Sequence, residues 1–292
     1  MRYLKGCLLI WISVSMLSFR PYSPQASVPD ARPDTPPVLR VCADPNDMPF
    51  SNRNREGYEN KIAEVVARAM GARLEFFWWP YQRGLVRRTL NAGRCDVLIS
   101  VPTNYERVLT TKPYYRSTYV FVYRKDRGLH IRSFKDPVLR KLRVGVHMRT
   151  PPHDLLILNG VPHTQLRVYL LYYDPNFHPE DYPGKLVEDV IRGNIDVGVV
   201  WGPIAGYFVA KKGAPLEIVP VDQTHPRIPV AFNMSMGVRK KNYALKERLE
   251  QIIDTHRDEI LAILRDYGVP LVPIVERRGE ARGSDLHARN GP

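Results

Sequence analysis

Gly93-Arg94-Cys95-Asp96-Val97 and Gly193-Asn194-Ile195-Asp196-Val197 carry one pattern twice, offset by 100 residues. In each copy a glycine closes a helical stretch, because it takes the left-handed backbone at no steric cost. The aspartate then opens a β-branched, buried strand. Upstream, Leu39-Arg40-Val41 has its echo in Leu142-Arg143-Val144. Working outward from the first copy, Leu39–Ala43 reads as a strand ending at Asp44-Pro45. Ile62, Val65, Val66 and Ala69 recur at helical spacing between Glu59 and Met70, with Gly71 as the stop. Leu74–Trp78 alternates like a strand, Tyr81–Ala92 reads as a helix ending at Gly93, and Cys95–Ile99 as a buried strand. Strand and helix in alternation predict a parallel α/β sheet, and the second copy predicts a second lobe built alike.

After the second lobe the chain offers a strand, Val230–Val238, and two amphipathic helices, Tyr243–Ile253 and His256–Tyr267. The second is predicted to be capped by Thr255, with Asp258 three residues on, and closed by Gly268. These elements are expected to return to the first lobe, giving two crossings, near Val120–Arg124 and Gln223–Pro229. The expected boundaries are residues 38–124 and 226–270 for lobe 1 and 125–225 for lobe 2.

Composition narrows the class. The chain has 292 residues, 44% of them apolar and 25% charged, which excludes a disordered chain, a coiled coil and a fibre. Arg2 and Lys5 precede the apolar run Gly6–Leu17, too short for a permanent span of ~20 residues but suited to a secretory signal. Residues 1–26 are thus expected to be a signal peptide directing the chain to the periplasm. Residues 27–37 form a Pro-rich leader, and 271–292 a disordered tail poor in apolar residues. No membrane span is expected in the mature chain. Export argues against nucleic acid as partner, although Lys and Arg exceed Asp and Glu by 43 to 30. The charge is scattered in pairs and triplets and reads first as a solvated basic surface, with attraction to an acidic protein partner as the sharper alternative. Cys42 and Cys95, the pair left after the signal is removed, are predicted to form a disulfide in an oxidising compartment.

In parallel α/β sheets ligands sit beyond the carboxyl ends of the strands, which directs attention to Asp44–Phe50, Trp78–Arg83, Ser100–Arg107, His147–Thr150, Tyr172–Asp174 and Trp201-Gly202. Half of the aromatic set Trp78, Trp79, Tyr81, Tyr114, Tyr115, Tyr172, Tyr173 and Trp201 is expected to be packing, the rest an aromatic-lined cleft. His147 and His153 lack the spacing for a metal site, and no nucleophile elbow, phosphate loop or dinucleotide fingerprint is present. The chain is expected to be no enzyme and to hold no cofactor or metal.

VPTNYERVLTTKPYYRSTYVFVYR (101–124), with Asp44-x-x-x-Pro49-Phe50 and Gly57-Tyr58-Glu59-Asn60, resembles the family-3 periplasmic solute-binding proteins. The resemblance implies a type II periplasmic-binding-protein fold, two α/β lobes around a cleft with two hinge crossings. It places a ligand carboxylate on Arg107, with Thr103 beside it. Amino-acid binders of that family carry an aspartate for the ligand ammonium where this chain has Trp201, whose indole only donates. His147-Met148-Arg149-Thr150 replaces their Gly-Thr-Thr loop. VCADPNDMPFSN, FFWWPYQRG, TLNAGRCDV and DVGVVWGPIAGYF narrow the similarity to the MxaJ/XoxJ group over about residues 38–270. That group implies a non-catalytic accessory protein of a PQQ-dependent (quinoprotein) methanol dehydrogenase, acting in its maturation or activation. The cleft expected to receive a partner is formed by Asp44, Phe50, Trp79, Arg83, Thr103, Arg107, His147, Arg149, Tyr173 and Trp201. The alternative is a transporter's solute receptor that clamps a small anion with Arg107.

Overall fold

The computed structural model describes residues 36–171, 182–223 and 225–275. The expected signal peptide, most of the leader, most of the tail, and Tyr172 and Tyr173 lie outside the described residues.

Lobe 1 opens with β1 (Val38–Ala43), the short hairpin β2 (Asn46–Asp47) and β3 (Ser51–Asn52), α1 (Tyr58–Met70), β4 (Arg73–Trp78), α2 (Leu85–Arg88), β5 (Val97–Pro102) and β6 (Leu109–Thr110). β7 (Tyr115–Arg124) leads to lobe 2: β8 (Val144–His147), α3 (Pro151–Leu158), β9 (Leu166–Tyr169), α4 (Lys185–Ile191), β10 (Val197–Trp201), α5 (Gly202–Ala210) and β11 (Leu216–Pro220). β12 (Ala231–Val238), α6 (Tyr243–Thr255) and α7 (Arg257–Asp266) return to lobe 1.

The strand order β4-β1-β5-β12-β7-β10-β8-β9 repeats one arrangement about β7. β1 is parallel to β4 and β5, and β8 is parallel to β9 and β10. β12 closes the first set antiparallel to β5, and β7 closes the second antiparallel to β10. The central strands of each set are buried on both faces. Ile62, Val66, Leu249, Ile253 and Leu264 cover one face of lobe 1, while Leu85, Leu90 and Val108 gather around the disulfide on the other. In lobe 2, Leu155 and Leu156 of α3 pack beneath one face and Leu186, Val190 and Ile204 beneath the other. Helices on both faces are what buried parallel strands require.

Gly71, Gly193 and Gly268 follow helix ends as expected, whereas Gly93 closes the turn beyond α2. Gly71, Gly93, Gly193 and Gly268 all have φ between 62° and 73°, and the Gly71 N–H returns to the last turn of α1. Cys42 and Cys95 are disulfide-bonded across Cα atoms 5.4 Å apart, within the ~7 Å that a bridge tolerates.

Three expectations are corrected. α2 covers Leu85–Arg88 and not Tyr81–Ala92, because the chain enters at Gly84 with φ 92° and leaves helical geometry at Thr89. The Thr89 hydroxyl donates back to the Leu85 carbonyl (2.8 Å), and Leu90 then turns into the core beside the disulfide. Thr255 does not cap α7; its hydroxyl donates to Gln251 and Ile252 carbonyls of α6, and α7 starts after His256. The first crossing lies inside β7. Tyr115–Thr118 pair with β12, whereas Tyr119–Val122 pair with β10 and Val120–Arg124 with β11. The strand therefore changes lobes between Thr118 and Tyr119, ahead of the expected boundary at 124.

Behind the hinge the lobes touch through bare backbone. A Cβ on Gly206 of α5 would stand 1.9 Å from the Gly268 carbonyl oxygen. Only glycine permits this approach. Tyr207 stacks on Tyr267 (6.4 Å, 15°), and Lys211 pairs with Asp266 beside it.

Candidate functional site: an aromatic cleft with buried carboxylates

The carboxyl ends of β1, β5, β8 and β10 meet in a cavity of about 290 Å³ between the lobes. Its floor is the hinge. Tyr119 and Trp201 are register partners on β7 and β10, their rings meet edge to face at 5.2 Å, and Phe232 of β12 closes the trio at 6.5 and 6.0 Å. β7, passing from one lobe to the other, brings the β10 and β12 rings together, so residues resembling ordinary strand packing form the floor of the cavity.

The lobe 1 wall is acidic. Asp44, at the end of β1, organises it: Oδ1 accepts from the Asn46 N–H (2.8 Å) and Oδ2 from the Tyr81 N–H. Its own N–H donates to the Ser51 hydroxyl, which donates back to the Asp44 carbonyl (2.8 Å). Burial raises the Asp44 carboxyl above its ordinary range against those donors. Asp47 is raised well above it, by burial first and then by the charges of Asp44 and Glu59. Its Oδ1 is out of solvent contact without a hydrogen-bond partner among the described residues. Glu59, in the first turn of α1, is pushed up to about 7, chiefly by burial, with the Ser100 hydroxyl opposing. Phe50, Trp79 and Tyr81 complete this wall.

Lobe 2 contributes His147, Thr150, Leu171, Pro183 and Ile204. His147 is 1% exposed. Burial holds its pKa at about 4, so the ring is neutral at pH 7, with Nε2 3.1 Å from the Pro183 carbonyl. The Thr150 hydroxyl donates to the His147 carbonyl (2.7 Å) and accepts no capping bond from the helix it precedes. Pro151 stands in the first turn of α3 as the sequence suggests.

Asp44, Phe50, Trp79, His147 and Trp201 thus come together in one cavity. Arg83, Thr103, Arg107 and Arg149 do not line it. Arg107 is exposed and has no ion pair or hydrogen bond among the described residues. It lies in the turn between Pro102 and Val108 that also holds Asn104 at φ 63°. Thr103 spends its hydroxyl on Ser235 (2.7 Å). Arg149 is itself left-handed, at φ 58°, and exposed. Tyr114 and Tyr115 are core residues. Sequence reasoning missed Asp47, Glu59, Ser100, Tyr119 and Phe232. Asp47 sat inside the quoted Asp44–Phe50 loop, and Glu59 was legible as an acid at a helix start facing the strand ends.

The cavity's described lining contains three carboxylates and no arginine or lysine. It offers stacking surface, acceptors and a neutral imidazole, and nothing that would neutralise an anion.

The chain matches the bacterial extracellular solute-binding proteins, family 3, over residues 39–268. It is 36% identical to Protein MoxJ of Methylorubrum extorquens over 257 residues, 84% of each chain. Among solved structures, the periplasmic binding protein XoxJ from Methylobacterium extorquens is 34% identical with a TM-score of 0.68, covering 81% of this chain and 100% of that one. MxaJ from Methlophaga aminisulfidivorans is 28% identical with a TM-score of 0.71, covering 80% and 100%.

Proposed function

This chain belongs to the bacterial extracellular solute-binding proteins of family 3, in the group of MoxJ, MxaJ and XoxJ, and on that premise we propose that it is a periplasmic accessory protein of a quinoprotein methanol dehydrogenase. It acts in maturation or activation of that enzyme by binding it, without catalysing a reaction itself. The observation that carries this reading is the cleft floor, where Tyr119, Trp201 and Phe232 offer aromatic faces. Trp201 occupies the position at which amino-acid binders of the family resemble one another in carrying an aspartate. Phe50, Trp79 and Trp201, half-buried around the cavity, form the contact surface, with Asp44 and His147 behind them, since aromatic side chains supply much of the energy at protein interfaces.

The rival reading, a receptor clamping an anion with Arg107, draws no support from a cavity lined by carboxylates with Arg107 outside it. Affinity capture with the tagged exported chain from its own periplasm tests the proposal. Recovery of the dehydrogenase, reduced at least tenfold by Trp201→Ala in a variant that still unfolds cooperatively, is the expected result. Recovery of transporter membrane subunits alone would overturn it.

A further inference from the structure

β4 is the outer strand of the lobe 1 sheet, and among the described residues it pairs only with β1. Arg73 and Trp79 donate their N–H groups inward, to the Pro37 and Ala43 carbonyls (2.8 and 2.9 Å). Alternation along the strand therefore turns the N–H groups of Leu74, Phe76 and Trp78 toward the open edge. Such an edge is a ready template for another extended chain.

The side chains decide which chain. On one face Phe76 stacks on Trp78 (4.9 Å, 18°), with the guanidinium groups of Arg55 and Arg53 over the rings at 5.2 and 5.9 Å. On the other face Phe77 stacks on Trp79 (6.5 Å, 11°), with Arg94 and Arg88 at 5.6 and 5.9 Å. These four arginines are exposed and have no carboxylate partner among the described residues. The aromatic rings are only half-buried, and Trp78 belongs to none of the core clusters. Stacked rings hold the guanidinium groups in place, which lowers the entropy lost when a carboxylate engages them. The same charges repel a second copy of this chain at the edge.

We propose that the β4 edge docks an extended acidic segment of a partner protein by strand addition. The added backbone pairs with β4, and its side chains, alternating between faces, bring carboxylates to Arg53 and Arg55 on one side and to Arg88 and Arg94 on the other. Because both faces are basic, the edge selects a run of consecutive acidic residues and not an alternating acidic-apolar strand. The proposal shares only Trp79 with the cleft reading, and its test uses neither the other cleft residues nor a dehydrogenase.

The probe is a fluorescein-labelled, end-capped peptide of six alternating Asp and Glu residues, followed by anisotropy with the full exported chain. We expect saturable binding that falls about tenfold or more in Arg53→Glu/Arg88→Glu and stays unchanged in Lys135→Glu/Lys141→Glu, with thermal midpoints confirming that both variants fold. N-methylation of alternate peptide amides, which removes edge hydrogen bonds and keeps every charge, should weaken binding as strongly. Equal binding of the N-methylated peptide would reduce the edge to diffuse attraction and overturn strand addition. So would indifference to the arginine reversals, or no saturable binding. Tighter, arginine-dependent binding to anionic lipid vesicles than to the peptide would assign the patch to a membrane surface and overturn it as well.

Discussion

Arg143 holds Asp196 at two points, Nε on Oδ2 at 3.1 Å and Nη2 on Oδ1 at 2.9 Å, while its own backbone N–H donates to Oδ2 at 2.9 Å. Arg40 and Asp96 repeat the arrangement in lobe 1, at 3.0, 3.0 and 3.1 Å. The paired Leu-Arg-Val and Gly-x-x-Asp-Val patterns are therefore halves of one device. It ties the start of a strand to its neighbour, once in each lobe.

Asp196→Ala should cost about 1–3 kcal/mol, since it strands a backbone donor and the guanidinium partners. The Arg143 hydrogen bonds, ahead of the opposing effect of burial, hold the Asp196 carboxyl below its ordinary value. Its contribution is thus complete above an unfolded pKa near 3.8 and is lost as pH falls through the lower folded value. Denaturant titrations at about pH 6 and about pH 3 should show the variant's deficit shrinking in acid. An undiminished deficit would contradict the assignment.

Glu59 runs the other way. Its carboxyl is raised from 4.5 to about 7, mainly by burial, so the native state holds a proton that the unfolded chain has released. Stability should fall as pH rises from about 4.5 to about 7 and level off above. Glu59→Gln should flatten that slope and raise the thermal midpoint at pH 8 by roughly 5 °C. Scanning calorimetry across the range reads both effects.

Arg107→Ala should leave stability within about 0.5 kcal/mol of the parent, as for an exposed residue without partners. Isothermal calorimetry against acetate, glutamate and phosphate should show no heat of binding in either protein. An anion bound tightly by the parent and lost in the variant would restore the receptor reading.

Breaking the Cys42–Cys95 bond, which closes a separation of 53 residues, should lower stability by about 4 kcal/mol on loop entropy. Denaturation with and without reductant, compared with Cys42→Ala/Cys95→Ala, checks this. Gly206→Ala should cost about 1–3 kcal/mol through overpacking, because the new methyl group meets the Gly268 carbonyl. A denaturant midpoint equal to the parent's would show that the lobes are not seated there.

The fold was legible where local chemistry and tertiary structure agree. Gly193 ends the α4 stretch and Gly93 the turn before β5 for reasons contained in the residue itself, and the strands that follow are apolar because both faces are covered. Tyr81–Ala92 misled because helical periodicity continues past Thr89, whereas the disulfide at Cys95 and the burial of Leu90 dictate a turn. The cleft was half legible. Strand ends pointed to Asp44, Trp79, His147 and Trp201, but Tyr119 and Phe232 reach the floor only because β7 changes lobes between its pairing with β12 and with β10. Arg107 rested on resemblance, and it lies exposed in the turn that also holds the left-handed Asn104.

β7 gives the hinge an unusual mechanical character. A linker bends freely, but here one continuous strand is stitched to β12 along its first half and to β10 and β11 along its second. Folding it sharply would tear ladder bonds, whereas twisting it spreads the load over the whole strand. It behaves as a torsion bar anchored at both ends. Tyr119 sits at the point where that bar passes from one anchor to the other, with Trp201 directly across from it. A partner that wedges the jaws apart would therefore wind this strand and shift one ring against the other. Occupancy at the mouth should then change the emission of Trp201 at the pivot.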